Sequence, residues 1–291
     1  MTDFKLNSKN RSKVENCPCG KSNKDGKFVP FDDFTKYGYC HSCSKTFLPD
    51  NELKSPFIFK IPVRKELKIL YISDYYLTKS INSQHENNFI NFLKKQFGNE
   101  ATTGLIELYK IGNSKHWRGA NVFWYIDMDS NVRTGKIMLY DEYTCKRIKQ
   151  PYNHITWVHT KLNLQNENIS KCLYGEHLLS IFPYKPIAIV ESEKTAIIAS
   201  LFFPNFIWLA TGGIGNLNYD KLKSLVGRSI VLFPDLCAYN LWLVKAEQLQ
   251  KWFKISVSDY LERNASPQEK SEKYDLADFL LSLDKSKFFE N

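Results

Sequence analysis

The chain has 291 residues and a formal charge of +9, and hydrophobic residues make up 43% of it, enough for a genuine core. No run approaches the ~20 apolar residues that a membrane span requires, and the polar stretch 1–16 has no apolar leader region, so a cytoplasmic protein without a membrane partner is expected. The length suits one small and one large domain. The basic balance favours polyanionic partners, nucleic acid first, although a lysine-rich chain without such a partner would show the same excess.

In chain order, a polar arm over 1–16 leads into two cysteine pairs, Cys17-Pro18-Cys19-Gly20 and Gly38-Tyr39-Cys40-His41-Ser42-Cys43. Residues 20–39 between them include Phe28, Val29 and Phe31, enough for a hairpin. Zinc takes four soft ligands in a tetrahedron, and two cysteine knuckles supply them. The metal would stand in for a core too small to hold alone. A structural zinc on Cys17, Cys19, Cys40 and Cys43 is therefore expected, with His41 as an alternative ligand. Lys21, Lys24, Lys27 and Lys36, interleaved with Phe28, Phe31 and Tyr37, suit a nucleic-acid surface. They suit equally a solvated face around a minimal core.

Residues 49–66, with Pro49, Pro56 and Pro62, read as a linker. From 67 the chain becomes globular. Phe89, Ile90, Phe92 and Leu93 recur at helical spacing and predict a helix over 88–97. Val122, Trp124 and Ile126 alternate in a strand over 120–128. Asp129-Ser130-Asn131 makes the turn, and 132–140 returns as the second strand of a hairpin. From 185 strands and helices alternate. Strands are predicted at 186–190, 206–210, 229–233 and 255–258, and helices at 192–203, 218–225 and 240–253. Short continuous apolar strands alternating with helices indicate a mostly parallel sheet covered on both faces.

Acidic residues follow these strands. Glu191 closes the first and Asp235 the third. In an open parallel sheet, ligands gather beyond the carboxyl ends of the strands, so Glu191 and Asp235 are expected to face one crevice. Asp275 and Asp278, three apart, share one face at a helix start. Clustered carboxylates repel one another and need a cation. Magnesium, or manganese in its place, prefers oxygen ligands and accompanies phosphates. Taken singly, Glu191 also reads as an ordinary acid at a helix N-terminus, and Asp235 as a capping acid. Elsewhere, His154 and His159 flank Trp157 and read more readily as structural than as ligands. Trp117, beside Lys115 and Arg118, reads as a buried strand-start residue or as a base-stacking one.

The stretch 185–283 resembles the toprim domain of bacterial primases, topoisomerases and related nucleases. In that family a glutamate follows the first strand in a Glu-Gly-x-x-Asp/Lys-Ala pattern, and an Asp-x-Asp pair follows the third. Residues 191–196 are similar to the first motif, with Ser192 where Gly is usual. Thr211-Gly212-Gly213 is similar to the small-residue turn after the second strand. Asp235-Leu236-Cys237 is similar to the third motif in its first acid, and Cys237 stands where the second Asp is usual. Residues 273–278 resemble the closing Lys-Asp-x-x-Asp element of phage and plasmid primases, with Tyr274 inserted. The cysteine segment resembles primase zinc ribbons, which usually read Cys-Pro-x-Cys-Gly; the first knuckle here is one residue shorter. Residues 110–140, with Arg118, Arg133 and Lys136, resemble the segment that precedes toprim in primases.

The resemblance implies an α/β fold. A toprim-like, mostly parallel sheet with flanking helices would occupy 185–291. A mixed α+β, primase-core-like subdomain (67–184), a linker (49–66) and a small zinc ribbon (1–48) would precede it. It implies a primase-like protein of a bacterial mobile element, transferring nucleotides on a single-stranded DNA template during replication. Glu191 would act as general acid/base or metal ligand, and Asp235, Asp275 and Asp278 would hold magnesium or manganese. Lys194, Arg118, Arg133 and Lys136 would hold template or nucleotide phosphates. Gly212-Gly213-Ile214-Gly215 is not followed by Lys-Ser/Thr and is no Walker A loop, so a helicase or mobilisation protein would be a separate partner. Two alternatives stay open: a catalytically degenerate toprim and zinc-ribbon DNA-binding module, which Cys237 favours, and a toprim nuclease. The Cys237→Asp change separates the degenerate module from a weakened enzyme.

Overall fold

A computed structural model describes residues 6–32, 35–48, 68–85 and 87–284. The chain divides into two compact units, residues 1–65 and 66–291. The linker expected at 49–66 lies outside the described residues.

In the first unit the arm is more than a polar lead. A 3-10 turn at Ser8–Lys13 is capped by Asn7, whose backbone amide donates to the Pro30 carbonyl at 2.8 Å. Val14 then enters a core shared with Cys17, Phe28 and Cys40. Three short strands, β1 (Phe28–Pro30), β2 (Gly38–Cys40) and β3 (Lys45–Phe47), form an antiparallel sheet in that order. Gly38 is required where β2 meets β1, because a Cβ there would lie 2.2 Å from the Val29 carbonyl oxygen. The buried Asn23 organises the loop between the first knuckle and β1. Its amide donates to the Val14 and Arg11 carbonyls, and its oxygen accepts from the Phe28 amide at 2.6 Å. A polar side chain replaces apolar contacts that this small core does not have.

The second unit opens with α1 (Asp74–Ile81) and α2 (Asn88–Tyr109). The helix expected over 88–97 does not stop there. Gly98, at φ +82, kinks the chain, and a second helical segment continues to Tyr109. The Thr102-Thr103-Gly104 sequence gives that segment a weak helical signature, and burial of Leu105 and Tyr109 holds it in place. The antiparallel sheet β4-β5-β6-β7 follows: β4 (Ile111–Ser114), β5 (Ala120–Ile126), β6 (Val132–Met138) and β7 (Ile155–Trp157). The β5–β6 hairpin is the one predicted, turning at 127–131. Short helices α3 (Val158–Lys161) and α4 (Leu178–Ile181) lead to the second sheet.

That sheet has the order β11-β10-β8-β9 with every pairing parallel. Its elements are β8 (Ile187–Val190), α5 (Glu193–Phe202), β9 (Ile207–Ala210), α6 (Tyr219–Leu222), β10 (Ser229–Leu232), α7 (Tyr239–Leu249) and β11 (Lys254–Val257). The helix expected over 218–225 is only the one-turn α6 followed by a 3-10 turn. Helices α8 (Tyr260–Asn264), α9 (Pro267–Glu272) and α10 (Leu276–Ser282) close the chain. β8 and β9 are buried at every residue, as strands covered on both faces must be.

Residues 67–184 and 185–284 share one hydrophobic core, running from Phe89 to Leu280. Tyr174 exchanges two backbone hydrogen bonds with Ala210, at 2.9 and 3.1 Å, on the open edge of β9. The buried Tyr109 hydroxyl donates to the Trp208 carbonyl at 3.2 Å. These links fix the end of α2 and the segment before β8 against β9.

Candidate active site and metal centre

In the first unit the Sγ atoms of Cys17, Cys19, Cys40 and Cys43 lie within 4.8 Å of one another, close enough to hold a metal ion. The knuckles are built by short hydrogen bonds. The Cys17 amide donates to the Lys21 carbonyl at 2.8 Å, the Gly20 amide to the Cys17 carbonyl at 2.8 Å, and the Cys19 amide to the Cys17 sulfur at 3.4 Å. Gly20 takes φ +85, which favours glycine. The donor set fits a soft, tetrahedral ion, and the four-residue core, which includes Cys17 and Cys40 themselves, is too small to hold the unit alone. Burial pushes the Cys17 thiol up to about 12, whereas the hydrogen bond with Cys17 brings Cys19 down to about 7. His41 is outside the group; its exposed ring packs edge-on against Tyr39 at 4.9 Å.

In the second unit, β8 and β10 are adjacent and parallel, so the residues just past them sit at one edge of the sheet. Glu191 and Asp235 occupy those positions and both line a cavity of about 470 Å³. Ser192 caps α5, its hydroxyl accepting from the Thr195 amide, which turns Glu193 and Lys194 into the same cavity. Asp275 caps α10 by accepting from the Asp278 amide at 2.8 Å. Lys136, from β6, completes the set predicted from sequence that the fold brings together here.

The cavity carries six acidic and six basic side chains, so it is neither a simple cation trap nor a simple phosphate trap. Four of the six cations come from one side of the cavity, whereas Lys194 and Lys273 come from the carboxylate side. Lys136, Lys146, Arg147 and Lys149 come from β6 and the loop after it. The carboxylates come from the carboxyl edge of the parallel sheet and from the segment ending in α10.

Four pairings fix this wall. Lys136 Nζ lies 2.9 and 3.1 Å from the two Glu193 oxygens. The Tyr125 hydroxyl, from β5, also donates to Glu193. Lys194 Nζ lies 3.1 Å from Asp275 and 2.7 Å from Asp278. Burial works against the Lys194 charge, but the two aspartates outweigh it and hold its pKa above the ordinary lysine value. Gly212, at φ +70, lets the turn after β9 pass close to Tyr125; a Cβ would lie 2.9 Å from that hydroxyl. Its amide donates to the Glu191 carbonyl at 2.8 Å.

Asp235 is the exception in this paired wall. Its Oδ1 is buried and without a hydrogen-bond partner among the described residues. Burial first, then the neighbouring Asp275 and Glu191 charges, push its carboxyl up to about 8. Burial likewise lifts Glu191 above the usual carboxylate range, against the pull of Arg147 and Lys136. Both raised carboxyls line one cavity and one has an orphaned oxygen, so the donor set could take an oxygen-seeking divalent cation in place of a proton. Among the described residues, however, the four cysteines alone are gathered closely enough to enclose an ion as they stand.

The remaining predicted residues lie elsewhere. Arg133 donates to Asp127 at 2.6 Å and to the Ser170 carbonyl at 3.4 Å, with its guanidinium 5.1 Å from the Tyr71 ring. Arg118 lines a separate cavity. Cys237 is exposed, and its amide donates to Glu262 at 3.0 Å instead of facing the carboxylates. Sequence reasoning missed Glu193, whose burial depends on partners from β5 and β6, and the basic rim Lys146, Arg147 and Lys149. The run of four cations within 146–149 and at 136 was the available signal for that rim.

A family model described as a domain of unknown function (DUF6371) matches residues 87–236, just over half of the chain, and the chain belongs to that family. The matched stretch contains Lys136, Glu191, Lys194 and Asp235 and ends before Asp275. Among curated proteins none matches. Of solved structures, the primase fragment of the bacteriophage T7 primase-helicase protein is similar at 16% identity and a TM-score of 0.39, over 89% of this chain and 97% of that one. The RNA polymerase domain of Mycobacterium tuberculosis primase DnaG is similar at 8% identity and a TM-score of 0.42, over 72% of this chain and 79% of that one. No helix among the described residues is long and apolar enough to cross a membrane.

Proposed function

We propose that the protein is a primase-like nucleotidyltransferase of toprim type that works on single-stranded DNA with magnesium or manganese, behind an N-terminal zinc ribbon. The observation that carries this reading is the Glu191–Asp235 pair. Two carboxyls from adjacent parallel strands share one cavity, and the buried Asp235 Oδ1 has no partner among the described residues. The motifs quoted for the toprim and zinc-ribbon resemblance support it, as does the basic rim facing the carboxylates. Zinc on the four cysteines is part of the same reading, and so is a mobile-element replication context with a helicase or mobilisation partner.

Glu191 and Asp235 would hold the cation, which supplies charge stabilisation for the phosphoryl group and acidity for an attacking hydroxyl. The chain's own residues would do the rest. Arg147, Lys146 and Lys149 offset phosphate charge on the incoming nucleotide and template. In the alternative role, as a base and not a ligand, Glu191 would take the proton from a primer 3′-hydroxyl. Lys194 holds Asp275 and Asp278 in place, and Lys136 with Tyr125 holds Glu193, so that the carboxylate wall does not rearrange as substrates arrive. Because Lys194 engages Asp275 and Asp278, Glu191 and Asp235 are the sequence-predicted carboxylates left for the cation. That observation favours a one-cation site, and it also favours the second reading, a degenerate module that binds DNA without catalysis.

Product analysis on single-stranded DNA with labelled nucleotides and magnesium or manganese tests the proposal. Short new products that vanish in Glu191→Gln and Asp235→Asn support it. A shortened template identifies a nuclease instead. Salt-sensitive binding without products, unchanged in both variants, leaves the degenerate module.

A further inference from the structure

A second cavity, of about 430 Å³, opens at the turn between β4 and β5. Gln84, His85, Lys115, Trp117 and Arg118 line it, and no described lining residue is acidic. The turn is rigidly placed. Gly119 takes φ +81, and a Cβ there would meet the Asn88 side-chain oxygen at 2.2 Å. The Asn88 amide donates to the Gly119 carbonyl at 2.9 Å, and the Ala120 amide to the Trp117 carbonyl at 3.0 Å. The start of α2 therefore clamps the turn and fixes Trp117 at the cavity.

An aromatic run continues outward from Trp117. His154 meets Trp117 edge-on, with ring centroids 5.1 Å apart, and Tyr152 stacks on His154 at 4.5 Å and 22°. His116 adjoins Trp117 at 4.3 Å. Burial and then the nearby Lys161 charge lower the His116 pKa, which favours its neutral ring at neutral pH. Tyr152 is stacked by His154 and yet 56% exposed. Lys149, three residues before Tyr152, lines the Glu191–Asp235 cavity. The segment 149–154 thus connects the two cavities.

We infer that this run is a track for an unpaired nucleic-acid strand. One base stacks on the open side of Tyr152, a neighbouring base enters the cavity beside Trp117, and the phosphates lie against Lys115, Arg118 and Lys149. Aromatic platforms interleaved with cations bind single strands with little sequence preference. A duplex does not fit this chemistry, because its bases are already stacked on one another. The track deepens the nucleotidyl-transfer reading by naming the path of the template, and binding along it is measurable without any chemistry.

Fluorescence anisotropy of the full chain with a labelled oligothymidine, an abasic strand of equal length and a duplex tests it. Tyr152 is exposed, so Tyr152→Ala leaves the fold intact. It is expected to weaken the oligothymidine about ten-fold, within the range of one lost base stack, and to leave the abasic strand unchanged. Lys115→Glu is expected to weaken both single strands. Equal oligothymidine affinity in the wild type and Tyr152→Ala overturns the track, as does equal wild-type affinity for thymidine and abasic strands. If these binding results hold while no primer is made, the track stands and the catalytic reading falls. If primers are made while Tyr152→Ala binds normally, the reverse holds.

Discussion

Lys136 and Glu193 form an ion pair of 2.9 Å in which the carboxylate side chain is 1% exposed and the lysine side chain 11%. The pair joins β6 of the antiparallel sheet to the first turn of α5 on the parallel one, two residues from Glu191. It therefore sets the relative position of the basic rim and the carboxylate wall, the two halves of the proposed phosphoryl-transfer site.

The Lys136→Met change leaves that carboxylate buried with only the Tyr125 hydroxyl to satisfy it. Removing one partner of a buried pair costs about 3–5 kcal/mol. Urea unfolding is expected to show a loss of that size, and the Lys136→Met/Glu193→Gln double variant to recover a large part of it by coupling. A single-variant loss under about 0.5 kcal/mol, the size of an ordinary surface substitution, would show that the pair contributes little.

Protonation of Asp235 gives a pH signature. Its carboxyl is raised from 3.8 to about 8, so the folded chain keeps a proton that the unfolded chain releases. The stability of the magnesium-free chain should therefore fall as pH rises from about 4 to about 8. Asp235→Asn removes this fall, and at about pH 8.5 its melting temperature should exceed the wild type's by about 2–4 °C for each kcal/mol recovered. Magnesium takes the place of the proton, so the stabilisation it gives the wild type should be larger near pH 8 than near pH 6. Thermal scans with and without magnesium at both pH values check the sign.

The strand and helix pattern after residue 185 was legible because short apolar runs such as Ile187–Val190 alternate with amphipathic segments and end in acids or glycines. The cysteine group was legible from spacing alone. The continuation of α2 beyond Gly98 was not, because Thr102-Thr103-Gly104 has poor helical propensity and tertiary burial decides the outcome. The pairing of Lys194 with Asp275 and Asp278 joins residues about eighty apart in sequence and leaves no periodic trace. Arg133 looked available for phosphate until the turn acid Asp127 was seen to hold it.

Cys237 illustrates the same gap between motif and geometry. It stands where a second aspartate is usual, but it lies outside the cavity at φ +68, a region that Asp tolerates better than Cys. A group that makes no contact with the reacting atoms adds nothing in the transition state, so Cys237→Asp should leave nucleotide incorporation within about two-fold of wild type. A sharp rise would mean that the loop after β10 turns inward when substrate binds.

The cysteine group should hold one zinc per chain by elemental analysis. Cys40→Ser removes a buried ligand and should lower the zinc content well below one equivalent. Because a small metal-dependent unit unfolds without its ion, limited proteolysis of Cys40→Ser should degrade residues 1–65 while residues 66–291 persist. Full zinc content in Cys40→Ser would contradict the four-cysteine assignment.

Joint binding of a divalent cation by Glu191 and Asp235 is measurable by electron paramagnetic resonance with manganese. The wild type is expected to bind manganese at this site, magnesium is expected to compete, and Glu191→Gln and Asp235→Asn are each expected to weaken binding at least about ten-fold, the scale of losing one ligand interaction of about 1.4 kcal/mol. Equal manganese affinity in the wild type and both variants, with the fold intact, would show that Glu191 and Asp235 do not hold the cation.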